Sequence, residues 1–300
     1  VSPAVAEGTV PAAPACVAAR LARATERLAS SGIDTARLEA EDLLAHALGC
    51  ERLDLYVNRG RELSSSESAR YDGLITRRAT REPLQYVRGH AHFYGRAFQA
   101  DSRVLVPRLE TEILVARALE ILGSHAAPRA LDLGTGSGCI GLSIAAELPD
   151  ARVTATDSDA AALEVARANA GALGVSSRVD FREGDLFDAL GGDEAPFDLI
   201  AMNPPYVTES ERARIAPEVR EWEPARALYV PDDEPLLFYE RLAARVRSFL
   251  APGGAVLVEA GAGRAQGVAD LFSNAGLTEI RTREDIRGIE RVVEARRKSG

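Results

Sequence analysis

The chain has 300 residues, 46% hydrophobic and 27% charged, with a formal net charge of −9. That length and balance suit a globular protein with one large and one small domain. The acidic excess argues against stable nucleic-acid binding, which relies on accumulated Lys and Arg. Cys16, Cys50 and Cys139 form neither a disulfide framework nor a zinc spacing. No apolar run approaches the ~20 residues that span a bilayer, and no positive residue before Arg20 opens a secretory signal. A cytoplasmic protein without membrane contact is expected. Met202 is the only methionine, so either Val1 reflects an alternative start codon or the start lies elsewhere.

Residues 1–16, rich in Ala, Pro and Val, carry neither helical nor strand period and are expected to form a disordered lead-in. From Val17 to about Arg81, Leu21, Ala24, Leu28, Leu38, Leu43, Leu44, Ala47 and Leu48 recur at helical spacing. Gly32 and Gly49 punctuate helix ends, and Ser64-Ser65-Ser66-Glu67 offers N-caps. A bundle of four or five helices is expected, with a domain over 17–88. Residues 90–108 turn aromatic and alternating, which predicts a β-hairpin linking two domains over 89–108. A helix is expected over Thr111–Leu122.

After Arg129 strands and helices alternate, and a second domain is expected over 109–300. Strands are expected at Ala130–Leu133, Val153–Asp157, Val179–Arg182, Asp198–Met202, Ala255–Glu259, Thr278–Thr282 and Glu290–Ala295, and helices at 139–148, 159–173, 235–250 and 264–275. The alternation predicts an α/β fold: a mostly parallel sheet with helices on both faces. The last two strands lack a crossover helix between them and are expected to end the sheet as an antiparallel pair.

Two motifs carry chemistry. The first, Leu131-Asp132-Leu133-Gly134-Thr135-Gly136-Ser137-Gly138, joins a strand to a helix. Its glycines let backbone approach a ligand, and the helix behind offers free N–H groups. About twenty residues on, Asp157 ends the next strand, where a carboxylate can accept from two ribose hydroxyls. Gly136, Gly138 and Gly141 also satisfy G-x-G-x-x-G, so a nicotinamide-dependent oxidoreductase is an alternative. Against it, Asp132 suits a cationic amino-acid tail better than pyrophosphate, and no acid–base residue is evident downstream.

The second motif, Asn203-Pro204-Pro205-Tyr206, follows a strand at its C-terminal end, the edge of a parallel sheet where ligands bind. An amide nitrogen is a poor nucleophile, because its lone pair is delocalised. The Asn203 side-chain oxygen and the Pro204 carbonyl can each accept one of its N–H groups. Pro204 and Pro205 fix the loop without competing donors, and Tyr206 can pack flat on a planar amide or base. Read blandly, Asn-Pro is a common turn starter.

With these motifs go Arg81-Glu82-Pro83-Leu84-Gln85-Tyr86, Phe93-Tyr94-Gly95, Val106-Pro107-Arg108, Glu110-Thr111-Glu112, Val219-Arg220, Glu223-Pro224 and Arg291-Val292-Val293. In that order and spacing, from about Val17 to Arg297, the chain resembles the HemK/PrmC family of protein-(glutamine-N5) methyltransferases. The resemblance implies a class I, Rossmann-like methyltransferase domain preceded by a helical domain for substrate recognition and a hairpin linker. It implies S-adenosylmethionine as cofactor and, as substrate, the glutamine of the Gly-Gly-Gln motif in peptide chain release factors. Carried over by position, Asp132, Gly134, Thr135, Gly136, Ser137, Gly138, Asp157, Asp185, Leu186 and Asn203 would bind the cofactor, with Leu186 beside the adenine. Asn203, Pro204, Pro205 and Tyr206 would hold the glutamine, and Asn203, Pro204 and Tyr206 would serve catalysis. Leu109 stands where the family usually has proline, and Leu186 where some members carry an aromatic residue.

A ribosomal-protein glutamine methyltransferase and an adenine-N6 nucleic-acid methyltransferase are the closer alternatives. Glu110-Thr111-Glu112 favours the release-factor branch, and no target-recognition domain for nucleic acid is apparent. A non-catalytic binder is disfavoured by the intact Asn203 and loop. His90 and His92 lack a third ligand at useful spacing, so no metal site is expected. A monomer is expected.

Overall fold

The computed structural model describes residues 16–192 and 194–299, so the lead-in expected at 1–16 lies, Cys16 apart, outside the described residues. The described chain falls into two compact units that divide between Arg88 and Gly89.

The first unit is helical: α1 Val17–Ser30, α2 Ala36–Leu48, α3 Arg52–Val57, α4 Ser65–Ala79 and α5 Leu84–Arg88. Val17, Leu21, Ala24 and Leu28 fall on one stripe of α1 and are buried. They pack with Leu43, Leu44, Tyr71 and Ile75 in a single cluster, each large side chain contributing about 1.5–3 kcal/mol by leaving water. Gly49 ends α2 in the left-handed region at φ 64°. Ser64 and Glu67 close a reciprocal capping box at the start of α4, Ser64 N–H donating to Glu67 at 2.8 Å. The buried Arg78 guanidinium donates to Glu39 at 2.5 Å.

The second unit opens with a hairpin, β1 His90–Phe93 and β2 Arg96–Gln99. Tyr94 and Gly95 both have positive φ, the signature of a tight two-residue turn. The expected hairpin ran to 108, but its ladder ends at the His90–Gln99 pair. Asp101 then turns the chain, its carbonyl accepting from Val104 N–H at 3.1 Å and its carboxylate from Arg103 N–H at 3.1 Å. Val104 and Val106, read in sequence as strand, are buried without joining a ladder.

Next come α6 Thr111–Leu122, β3 Arg129–Leu133, α7 Cys139–Glu147, β4 Arg152–Asp157, α8 Ala160–Ala172, β5 Val179–Glu183 and β6 Phe197–Met202. The chain continues through β7 Val207–Thr208, α9 Pro217–Trp222, β8 Tyr229–Val230, α10 Leu237–Phe249, β9 Leu250–Glu259, α11 Ala265–Asn274, β10 Thr278–Glu284 and β11 Glu290–Arg296. The main sheet runs β10-β11-β9-β6-β3-β4-β5. β9, β6, β3, β4 and β5 are parallel, and β11 and β10 pair antiparallel at one edge. The order reverses between β3 and β6, the switch point at which such sheets open a ligand crevice.

Strand alternation builds the layers. Ala130, Leu199, Ala201, Ala255 and Leu257 pack with Leu114, Ala118 and Leu122 of α6 and with Ile140 and Ile144 of α7. Leu131, Leu133, Ile200, Met202, Val256 and Val258 face the other way, onto Tyr239, Leu242, Val246 and Phe272 of α10 and α11. Both faces are therefore covered, as parallel strands require. β7 and β8, a parallel pair of two residues each, and α9 were not expected from sequence.

Candidate active site

Beyond the C-terminal ends of β3, β4 and β6 lies a cleft of about 1020 Å³, including space open to solvent. The glycine loop forms its floor. Gly134, Gly136 and Gly138 sit at φ 67°, 55° and 84°, where a side chain costs about 1–2 kcal/mol. Their reasons differ. No atom lies within 4 Å of a Cβ placed on Gly134 or Gly136, whereas one on Gly138 would meet Leu142 Cδ1 at 2.6 Å. Thr135 N–H donates to Thr156 at 2.8 Å, tying the loop to β4. Gly134, Thr135, Gly136 and Ser137 line the cleft; Gly138 does not, since it is turned against α7.

Asp132 also lies outside the lining, beneath the loop. One carboxylate oxygen accepts from the Thr135 hydroxyl at 2.6 Å and from Gly141 N–H at 2.9 Å. The other is buried without a hydrogen-bond partner, and burial pushes this acid up to about 6. A direct contact from Asp132 to a ligand in the cleft, as expected from sequence, is therefore corrected: the residue holds the loop from below.

Asp157, the last residue of β4, does line the cleft. Its oxygens accept from Gly136 N–H at 2.9 Å and Asp159 N–H at 3.0 Å, and each keeps a second lone pair. Burial raises its pKa. Gly184, Asp185 and Leu186 follow β5 into the same wall. Leu186 is held at φ 51°, an uncommon conformation for a branched residue, and it packs onto the α10 side of the core. Asp185 is paired with Arg241 at 2.8 Å.

Asn203, Pro204 and Pro205 leave β6 along the cleft wall. The Asn203 Nδ2 donates to the Thr111 hydroxyl at 3.2 Å. Tyr206 is not in the lining. Its ring lies against Gly261, whose added Cβ would meet Tyr206 Cδ2 at 2.9 Å, and its hydroxyl reaches Glu259 at 3.5 Å. At Val207 the backbone N–H donates to Leu228, so of the four motif residues Asn203, Pro204 and Pro205 line the cleft and Tyr206 stands beside it.

The facing wall is lined by Val104, Val106 and Arg108. The buried Glu223 accepts from Val106 N–H at 3.0 Å and from the Arg108 guanidinium at 2.5 Å. The Glu223-Pro224 pair was visible only as part of a family pattern. The turn before α6 closes with Leu109 in place, Glu112 N–H donating to its carbonyl at 3.1 Å while its side chain stays exposed. Thr111 and Phe238, also in the lining, had no local signal. His90 and His92 lie on the hairpin, edge to face at 5.4 Å between ring centroids.

The cleft's fit to a nucleoside bearing an amino-acid tail rests on three observations. There is open space above Gly134 and Gly136. A strand-end carboxylate, Asp157, lines the cleft with a spare lone pair on each oxygen. Apolar Leu186 and Phe238 form an adjoining wall able to cover a base.

Residues 20–89 match the family described as PrmC N-terminal domain, and residues 98–220 the methyltransferase small domain. A release factor glutamine methyltransferase from Geobacter sulfurreducens is 43% identical over 90% of this chain and 92% of its own. The protein of that name from Chlorobaculum tepidum is 41% identical over 88% and 91%. Among solved structures, a protein-(glutamine-N5) methyltransferase (release factor-specific) from Alicyclobacillus acidocaldarius is 30% identical over 67% of this chain and 99% of that one, with a TM-score of 0.41. The hMettl16 catalytic domain superposes with a TM-score of 0.54 at 17% identity over 79% and 84% of the two chains, a likeness of fold alone.

Proposed function

The chain belongs to the family of release factor glutamine methyltransferases, and we propose that its cleft is where a release-factor glutamine meets the methyl donor. The enzyme uses S-adenosylmethionine and methylates the N5 amide nitrogen of glutamine; the Gly-Gly-Gln motif is the proposed site. The observation that carries the assignment is the amide of Asn203 beside the glycine-loop cleft, with its nitrogen bonded to Thr111. That contact leaves Oδ1 as the end of the side chain available to accept.

S-adenosylmethionine, when bound, supplies an electrophilic methyl group on sulfur. The protein's part is holding and aiming. The backbone of Gly134 to Ser137 and the Asp157 carboxylate would hold the donor, with Leu186 beside the base. Asn203 Oδ1 and the Pro204 carbonyl would accept the two N–H groups of the incoming carboxamide, turning its nitrogen lone pair toward the methyl. The chemistry the donor would supply is transfer of that methyl to the held amide nitrogen, with the sulfur leaving as a thioether and one N–H proton going to water, so this chain would need to provide no strong base.

We further propose that the helical unit recognises the body of the protein substrate. Leu53 and Val57, one turn apart on α3, are 72% and 77% exposed and offer apolar surface. Changing both to Ser should raise KM for the whole release factor at least about fivefold, the order of one lost apolar contact, and leave KM for a Gly-Gly-Gln peptide unchanged. Equal KM values for the whole factor would remove the role. Cytoplasmic location, a monomeric state and no stable nucleic-acid binding belong to the same proposal. They accord with the net charge of −9 and with the lack, among the described residues, of a helix long and apolar enough to cross a membrane.

The decisive experiment offers tritiated donor to purified release factor, ribosomal proteins and nucleic acid in parallel. Label on the Gly-Gly-Gln peptide is expected. Label confined to another substrate would overturn the assignment.

A further inference from the structure

We infer that Thr111 and Glu259 are positioning residues that set which end of the Asn203 amide faces the cleft, an inference that rests on the role proposed for Asn203. β6 and β9 run side by side, with Met202 paired to Val258. The next residues of each strand, Asn203 and Glu259, therefore emerge together. Thr111 opens α6 above them. Its hydroxyl donates to Glu259 Oε2 at 2.5 Å and accepts from Asn203 Nδ2 at 3.2 Å. The Tyr206 hydroxyl reaches the other carboxylate oxygen, Oε1, at 3.5 Å. Thr111 and Glu259 are each 1% exposed, so water does not compete.

Proton counting makes the arrangement directional. A carboxamide has an acceptor end and a donor end of nearly the same shape, and packing alone barely distinguishes the two orientations. A threonine hydroxyl has one proton. Burial raises the pKa of Glu259, while the Thr111 bond and the Arg291 charge favour its ionised form; with Glu259 as the carboxylate that accepts the hydroxyl proton, Thr111 keeps only lone pairs for Asn203, and only the NH2 end can use them. The flipped amide would set Oδ1 against those lone pairs and aim two N–H donors at a substrate amide that also presents N–H donors. Glu259 thus acts through Thr111 on the orientation of Asn203, and touches neither substrate nor donor.

Three variants of the full chain separate this role from simple packing. Thr111→Val keeps shape and removes the hydroxyl. It should lower kcat about tenfold or more, the scale of one hydrogen bond, with donor Kd and substrate KM within about threefold. Thr111→Ser restores the hydroxyl and should recover kcat to within about threefold of the parent. In Glu259→Gln, the Tyr206 hydroxyl favours the carboxamide oxygen at the Oε1 position, which leaves NH2 facing Thr111. The hydroxyl proton is then turned toward Asn203, and kcat should fall. Because both changes act through one hydroxyl, adding Glu259→Gln to Thr111→Val should slow the enzyme by less than about threefold more. Nuclear magnetic resonance gives a readout free of turnover. The Asn203 Nδ2 protons of the 15N-labelled chain should be protected from exchange in the parent and lose that protection in Thr111→Val. A Thr111→Val enzyme within twofold of the parent kcat, a Thr111→Ser enzyme as slow as the valine variant, multiplying rate losses, or unchanged Asn203 protons would each overturn the inference. Absence of transfer by the parent enzyme would instead strike the proposed substrate, and the resonance measurement would still decide the relay.

Discussion

Gly134 and Gly138 belong to one loop and share a left-handed backbone, yet replacing each by Ala should damage different properties. At φ 84°, the Gly138→Ala substitution would add about 1–2 kcal/mol of backbone strain. The new Cβ would also fall 2.6 Å from Leu142 Cδ1 and 2.9 Å from Cγ. Leu142 is fully buried, so it yields only by overpacking, which costs about 1–3 kcal/mol. The total is about 2–5 kcal/mol. At Gly134 the strain is similar, but the Cβ meets no atom within 4 Å because it points into the cleft. Gly134→Ala should therefore lose about 1–2 kcal/mol of stability and weaken donor binding by about tenfold or more, because the methyl group occupies space the donor needs. Gly138→Ala should be the reverse: a larger fall in melting temperature, roughly 4–15 °C against 2–6 °C, with donor Kd changed less. Thermal unfolding and calorimetric titration of donor on both variants check this. Equal destabilisation by the two, or unchanged donor affinity in Gly134→Ala, would refute the claim that one glycine serves packing and the other the ligand.

Asn203→Ala should lower kcat by at least about a hundredfold while donor Kd stays within about tenfold, since one hydrogen bond is worth about 1–1.5 kcal/mol in binding but the reacting geometry is lost; single-turnover kinetics measure it, and near-normal turnover would end the assignment. Asp157→Ala should raise donor Kd about tenfold or more by removing the acceptors at the end of β4, and an unchanged calorimetric Kd would count against the ribose contact. Asp132 titrates at about 6 in the folded protein, above its unfolded value near 4, so the native state holds this proton more tightly. Its stabilising contribution is thus complete below about pH 4 and is lost as pH rises through 6, a change of about 3 kcal/mol. Urea unfolding of the parent against Asp132→Asn should show the parent losing ground across that window; a difference independent of pH would be inconsistent with the buried, half-satisfied carboxylate.

The regular parts of the second unit were legible because their signals are local. The largely apolar runs Ala130–Leu133 and Ala255–Glu259 mark strands buried on both faces, and the glycines after Leu133 mark a close backbone approach. The cleft's far wall was not legible. Glu223 becomes meaningful only when the chain brings it to Arg108, 115 residues earlier. Glu259 reads as a charge at a strand end until Thr111, 148 residues away, is placed on it. Val104 and Val106 misled because buried extended chain has a strand's composition whether or not it finds a ladder. The position of the Tyr206 ring against Gly261 was not legible, because two prolines fix a loop without revealing which way the next ring turns. The left-handed Leu186 is set by its surroundings, since nothing in a leucine asks for positive φ.

The short parallel pair of Val207–Thr208 with Tyr229–Val230 closes the excursion between Asn203 and α10 at its base, as a clasp closes a necklace. Lengthening a loop whose ends are already fastened costs little, about 0.6 kcal/mol per doubling. Of the enclosed residues, Pro224, Arg226 and Ala227 line the cleft, and Glu223 holds Val106 and Arg108 from behind it. Of the rest, Glu211 accepts from Thr208 N–H and from Arg264, each at 2.9 Å, while Glu209–Arg214 and Pro217–Trp222 bury no side chain. This clasped ring is therefore where a change of chain length would be absorbed before it reached the Asn203 turn.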